Sequence, residues 1–199
     1  MKILVLQAHP NMSKSILNKR FSKELEGKNN IKVRNLYALY PNWEIDAEKE
    51  QKELLEADRV VFQFPFYWYN MTPLLKKYFD DIFLYGFAYG VEGDKLKGKE
   101  FVIATTAGGP DHAYQPGEYN NFSMGEFLRP MQQTAKLAGM EFRKAFIVND
   151  AVRIGQENDP EKLTELATHF IQHITDPYLD PIAKLKKLND EIKEKGGIN

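Results

Sequence analysis

Three short stretches of the 199-residue chain are apolar without alternation: Ile3-Leu4-Val5-Leu6, Val60-Val61-Phe62 and Phe101-Val102-Ile103-Ala104. A strand with water on one face alternates apolar and polar residues; a continuously apolar strand is covered on both faces, as in a parallel sheet between two helical layers. Strands are predicted at Lys2–Leu6, Ile31–Asn35, Arg59–Phe64, Phe101–Thr105 and Ala145–Val148. The second, Ile31-Lys32-Val33-Arg34, alternates and reads as an edge.

Between them lie segments with helical period and caps. Thr72-Pro73 reads as an N-cap and first-turn proline, opening a helix with an apolar face of Leu74, Leu75, Tyr78, Phe79, Ile82 and Phe83. Lys76–Asp80 and Lys77–Asp81 sit at i,i+4 spacing, and Gly86 is positioned to end the helix. Ser123 with Glu126 has capping-box spacing, Pro130 is expected to kink the helix that follows, and Gly139 to end it. Asp159-Pro160 opens another helix, burying Leu163, Leu166, Ala167, Phe170, Ile171 and Ile174. The βαβ alternation implies an α/β doubly wound sheet. Residues 1–175 read as one domain. Residues 176–199 read as a helical tail from Ile182 to Lys195, whose Lys184–Lys187 cluster is balanced by Asp190, Glu191 and Glu194 as a solvated face.

Composition narrows the chemistry. Without cysteine, disulfides, thiolate catalysis and cysteine-held zinc or iron–sulfur clusters are excluded. A net charge of −1 gives no field for nucleic acid and lacks the acidity expected of a small one-electron carrier. No stretch approaches the roughly 20 apolar residues of a membrane span, so a cytoplasmic location without membrane embedding is expected. His169 and His173, at i,i+4 spacing, read as surface residues, and no metal site is expected.

Ligands of open α/β sheets bind beyond the carboxyl ends of the strands, and three loops there have unusual composition. The first runs from Gln7 through His9 and Pro10 to Ser13, Lys14, Ser15, Ile16, Leu17 and Asn18. Its serines and helix-start amides suit a phosphate, although serine serves equally as a plain N-cap. The second, Pro65-Phe66-Tyr67-Trp68-Tyr69, offers flat apolar walls to a conjugated ligand, an arrangement that also occurs in cores and interfaces. The third, Thr105-Thr106-Ala107-Gly108-Gly109, allows close backbone approach and anion contacts through successive amides. A dinucleotide fingerprint G-x-G-x-x-G and a P-loop are both missing.

In combination, these loops resemble those of the flavodoxin-like NAD(P)H:quinone oxidoreductases, especially a bacterial branch containing ancillary proteins of glutathione-gated potassium efflux systems and general-stress oxidoreductases. The resemblance spans Met1 to about Ile174. It rests on Ala8-His9-Pro10, Ser15-x-x-Asn18-Lys19-Arg20, Leu36-Tyr37-x-x-Tyr40-Pro41, Pro65-x-x-Trp68-Tyr69, Pro73-Leu74-Leu75-Lys76, Gly86-x-Ala88-Tyr89-Gly90, Thr105-Thr106-x-Gly108-Gly109, Pro130 and Gly139-Met140. It implies a flavodoxin-like three-layer sandwich with a five-stranded parallel sheet of order 2-1-3-4-5. It also implies a flavin (FMN favoured, FAD left open) held by His9, Ser15 to Asn18, Pro65 to Tyr69 and Thr105 to Gly109.

By the same resemblance, NADPH or NADH donates hydride, a quinone-like acceptor is reduced by two electrons in a ping-pong cycle, and the protein is a homodimer with Ile82–Tyr89 in its interface. A regulatory subunit of a membrane potassium-efflux transporter and a flavodoxin-type carrier are the alternatives. Relatives carry a tyrosine and a histidine after the Gly-Gly turn; here Tyr114 takes the tyrosine role. Tyr119 stands two residues after Gly117 where the histidine is expected, and His112 is the nearby imidazole. Aromatic walls from Phe66, Trp68 and Phe122 are expected around the acceptor.

Overall fold

The computed structural model describes residues 1–194. Strands β1 (Ile3–Gln7), β2 (Ile31–Asn35), β3 (Arg59–Pro65), β4 (Glu100–Thr106), β5 (Glu141–Phe142) and β6 (Phe146–Val148) form one parallel sheet. Its order is β2-β1-β3-β4-β5, with β6 also beside β4, so the chain has the flavodoxin-like order read from the resemblance. The fifth position is held by two short pieces. β5 pairs with Glu100 and Phe101, β6 with Ala104 to Thr106.

Nine helices are described: α1 (Leu17–Leu25), α2 (Leu36–Leu39), α3 (Ala47–Glu56), α4 (Pro73–Ile82), α5 (Met124–Phe127), α6 (Arg129–Leu137), α7 (Ala151–Glu157), α8 (Pro160–Thr175) and α9 (Pro181–Glu194). Alternate strand residues point to opposite faces. Leu4, Leu6, Val60, Phe62, Phe64, Phe101 and Ile103 therefore pack with residues of α2 to α6, while Ile3, Val5, Val61, Val102 and Ala104 pack with residues of α1, α7 and α8. Both faces of the central strands are buried, which is why their sequences do not alternate.

Several local readings are corrected. β2 is an edge strand, yet its buried residues are Ile31 and Arg34 while Val33 is exposed. Arg34 turns inward because Glu50 of α3, fully buried, accepts from its Nε at 3.0 Å, with the Tyr40 and Tyr78 hydroxyls on the same carboxylate. Burial and that carboxylate push the Tyr40 phenol up to about 12. Thr72 occupies the N-cap of α4 but does not cap it: its Oγ1 donates to the Ala8 carbonyl at 2.9 Å, tying α4 to the end of β1. α4 ends at Ile82, before Gly86, which turns the next loop at φ 78°.

Pro130 separates two helices instead of kinking one. α5 starts with the expected Ser123–Glu126 capping box, and α6 starts anew with Pro130 in its first turn. Gly139 ends α6 at φ 68°, with its amide on the Lys136 carbonyl and the Met140 amide on that of Ala135, a Schellman motif. The Lys76–Asp80 and Lys77–Asp81 pairs form as expected. His173 is half-buried, its Nε2 at 2.8 Å from the Lys144 carbonyl, so it is a packing residue and not a solvated one. The expected end of the tail, Lys195 to Gly197, lies outside the described residues.

Candidate flavin site

The carboxyl ends of β1, β3 and β4 bring the three loops together. They bound an open hollow of about 490 Å³ lined by His9, Lys14, Ser15, Ile16, Leu17, Asn18, Pro65, Phe66, Tyr67, Thr106 and Gly108. A second hollow of about 420 Å³ shares Phe66 and Gly108 with it and adds Trp68, Tyr69, Gly109, Tyr114, Tyr119 and Asn120.

The floor of the first hollow is a buried polar chain. Asn18 Nδ2 donates to Thr106 Oγ1 at 3.1 Å, and Gln63 Nε2 donates to Asn18 Oδ1 at 3.2 Å. Gln7 Nε2 donates to Gln63 Oε1 at 3.1 Å and to Ser22 Oγ at 2.5 Å, and Ser22 Oγ donates to the Asn18 carbonyl. Gln7 and Gln63 are register partners on β1 and β3, both almost fully buried. Two glutamines inside a parallel sheet are costly unless every group is paired. Here they bind the start of α1 to the end of β4.

At that start, Ser15 Oγ accepts from the Asn18 amide at 3.2 Å. The amides of Leu17 and Lys19 are in the first turn, where no intrahelical acceptor exists. With Lys14 on the rim, the donor set and helix dipole suit one phosphate. Ser13 lies outside the lining and donates to Asn11 Oδ1. His9 Nδ1 accepts the Asn11 amide at 3.1 Å, so the neutral ring carries its proton on Nε2, and burial lowers the pKa of the imidazole.

The aromatic loop is a tight turn. Tyr67 and Asn70 exchange backbone hydrogen bonds of 3.1 and 3.0 Å, which puts Trp68 at φ 47° and Tyr69 at φ 62°. Bulky side chains rarely occupy the left-handed region. Trp68 is 93% exposed and so gains nothing by packing within this chain; strain of this kind concentrates at functional sites. Tyr69 stacks on Phe127 and donates to Asn120 Oδ1 at 3.2 Å.

Thr105 and Ala107 line neither hollow. The Thr105 hydroxyl donates to the Phe64 carbonyl and the Ala107 amide to that of Val148, fixing the strand end from which Thr106 and Gly108 face the first hollow. A Cβ on Gly109 would stand 3.2 Å from the Tyr119 hydroxyl and 3.3 Å from both Asn120 and the Tyr114 ring. A side chain at this position would press on all three neighbours, which would have to shift by a few tenths of an ångström to admit it. Tyr114 and Tyr119 meet in the second hollow, and the Tyr114 phenol is held above its usual range, chiefly by burial. His112 is exposed in a 3₁₀ turn and is brought into neither hollow. Phe122 is exposed and packs edge-on to Phe127.

Two contributions escaped the sequence reading. Ala151, Val152, Gly155 and Gln156 of α7 form the far wall of the first hollow, and Asn120 braces the second. The parallel sheet of order β2-β1-β3-β4-β5, with helices on both faces and three loops meeting at its carboxyl end, defines a flavodoxin-like α/β protein.

Comparison with known proteins agrees. The family described as flavodoxin-like fold matches residues 1–174. The chain is 42% identical over 193 residues to an uncharacterized NAD(P)H oxidoreductase, YdeQ, of Bacillus subtilis, covering 97% of this chain and 96% of that one. It is 38% identical to the glutathione-regulated potassium-efflux ancillary protein KefG of Cronobacter sakazakii, covering 84% and 88%.

Among solved structures, general stress protein 14 of Treponema denticola, in complex with FMN, superposes with a TM-score of 0.80 at 34% identity, covering 87% and 98%. An NADPH-quinone reductase from P. pentosaceus gives 0.79 at 28%, covering 88% and 99%. A chain described as a thermophilic tryptophan halogenase from Streptomycin violaceusniger gives 0.83 at 43%, covering 88% and 99%; that description names a chemistry the others do not share. The chain belongs to the flavodoxin-like NAD(P)H oxidoreductase family.

Proposed function

We propose that the protein binds FMN in the larger hollow, accepts hydride from NADPH or NADH, and reduces a quinone-like acceptor by two electrons in a ping-pong cycle. The observation that carries this reading is the meeting of three strand-end loops in one continuous site: an anion cradle at the start of α1, an apolar aromatic wall and a glycine pair. The cradle is a single helix terminus, which suits the one phosphate of FMN better than the two of FAD. FMN, when bound, supplies hydride transfer between nicotinamide and acceptor.

The protein's own residues do the positioning. The α1 start, Ser15 and Lys14 hold the phosphate, while Asn18 and Thr106 fix the floor. Phe66, Tyr67 and Trp68 form the apolar wall, and the glycines let backbone amides approach the ring's polar edge. Tyr114 and Tyr119 face the space where an acceptor stacks, and their phenols donate hydrogen bonds to its oxygens. His112 has no part in this arrangement.

The second hollow is open, and a second copy of the chain would close it. Leu84, Tyr85 and Tyr89, in the predicted interface stretch, are exposed together with Val91, while Ile82, Phe83, Phe87 and Ala88 are buried. A homodimer using this patch and Trp68 follows. Among the described residues no helix is long and apolar enough to cross a membrane, and a cytoplasmic location is proposed. The relationship to KefG supports a second role, as an ancillary partner of a potassium-efflux transporter.

Fluorescence titration of the purified protein with FMN and with FAD tests the site. FMN binding that weakens at least tenfold in Ser15→Ala/Lys14→Ala supports the assignment. Binding of neither flavin, or binding indifferent to that change, overturns it.

A further inference from the structure

Helix α9 has 14 residues and none is buried. Ile182, Leu185, Leu188 and Ile192 are all exposed, Ile182 by 73%, and their spacing puts them along one stripe. An isolated helix of this length is marginal in water, and little of the domain supports it. Asp180 caps its start through the amides of Ile182 and Ala183 while accepting from Arg143 at 3.0 Å, and Lys187 lies over the Tyr178 ring. Such a stripe is stable when something covers it.

The charges around the stripe indicate what that is. Lys186 and Lys193, seven residues apart, flank one side, and Lys184 flanks the other beside Glu191. Asp190 and Glu194, four residues apart, fall on the opposite face. The Lys186/Lys193 margin carries no acid, and Asp190 and Glu194 are turned away; such a margin matches an anionic lipid surface, where the lysine stems lie along the apolar boundary and their heads meet phosphate. An antiparallel pairing of two copies would instead set the Lys186/Lys193 flank against its own symmetry mate.

The helix also starts beside Arg143 and Glu100, at the beginning of β4, whereas both hollows lie past the strands' carboxyl ends. A surface docked there leaves the flavin site open. We propose that α9 is an interfacial helix, which lays Ile182, Leu185, Leu188 and Ile192 reversibly on an anionic lipid bilayer.

The test is co-sedimentation of the full-length, FMN-treated protein with vesicles of phosphatidylcholine alone or mixed with phosphatidylglycerol, with light scattering in parallel. The proposal expects binding to the anionic vesicles only, lost in Leu185→Glu/Leu188→Glu, and weakened about fivefold for each of Lys186→Gln and Lys193→Gln. Flavin absorbance should be the same in all variants. No binding to anionic vesicles overturns it, as does binding that survives the leucine changes. If those changes dissociate an oligomer without any vesicle effect, the stripe is a contact between copies and the lipid reading is wrong.

Discussion

Gln63 reaches neither hollow, yet it bears on flavin binding through Asn18, whose side-chain oxygen it holds. Replacing it with leucine keeps the bulk and removes both hydrogen-bonding ends. Gln7 Nε2 loses one acceptor but keeps Ser22 Oγ at 2.5 Å, so its penalty is small. Asn18 Oδ1 loses its donor inside the core, and an orphaned buried acceptor costs about 1–3 kcal/mol. With about 2 kcal/mol as the central figure, the melting temperature should fall by about 4–8 °C.

Asn18 is then held only through Thr106, and ordering a freed side chain on binding costs about 0.5–1.5 kcal/mol, a two- to tenfold rise in the FMN dissociation constant at about 25 °C. Thermal melts and flavin titrations of the single variant measure both effects. Adding Asn18→Leu removes the orphaned acceptor, so the double variant should recover part of the lost stability while binding FMN no better. A Gln63→Leu protein with unchanged stability and unchanged FMN affinity would refute the reasoning.

Three further outcomes are expected. Trp68→Asn places a residue that tolerates positive φ in the strained turn, and should raise stability by about 1 kcal/mol while slowing quinone reduction severalfold; thermal melts and initial rates check both. Burial holds His9 and His173 below their ordinary value of 6.5, so the unfolded chain binds more protons just below that pH. Stability is therefore full above pH 6.5 and lost as pH falls through the folded values, and His9→Gln should flatten the slope in pH-dependent urea melts. Arg59 is fully buried, donating to Glu100 at 2.6 Å and to the Ile174 and Asp176 carbonyls at the end of α8, so Arg59→Leu should cost about 3 kcal/mol in denaturant melts.

What the sequence made legible follows from local physics. Strands covered on both faces betray themselves by lost alternation, and Ser123–Glu126 or Asp159-Pro160 carry their caps in adjacent residues. The unread features depend on distant partners. Arg34 looks like a solvent residue until Glu50, sixteen positions on, draws it inward. Thr72 looks like a cap until Ala8 claims its hydroxyl.

The turn at Trp68-Tyr69 has no glycine or asparagine to announce positive φ, so only its composition, not its shape, was readable. α7 is short and starts from Asp150 in the left-handed region, which left its wall of the hollow unseen. The resemblance located Tyr114 and Tyr119, and the structure brings both into the second hollow. His112 is exposed in the 3₁₀ turn at Asp111–Ala113 and lines neither hollow.

The most direct test of the central claim is the visible absorption spectrum of the FMN-treated protein under anaerobic conditions, before and after one equivalent of NADPH or NADH and then of a quinone. The flavin bands should bleach with the nicotinamide and return with the quinone. Bands that persist with both nicotinamides, or a protein that retains no flavin, would contradict it.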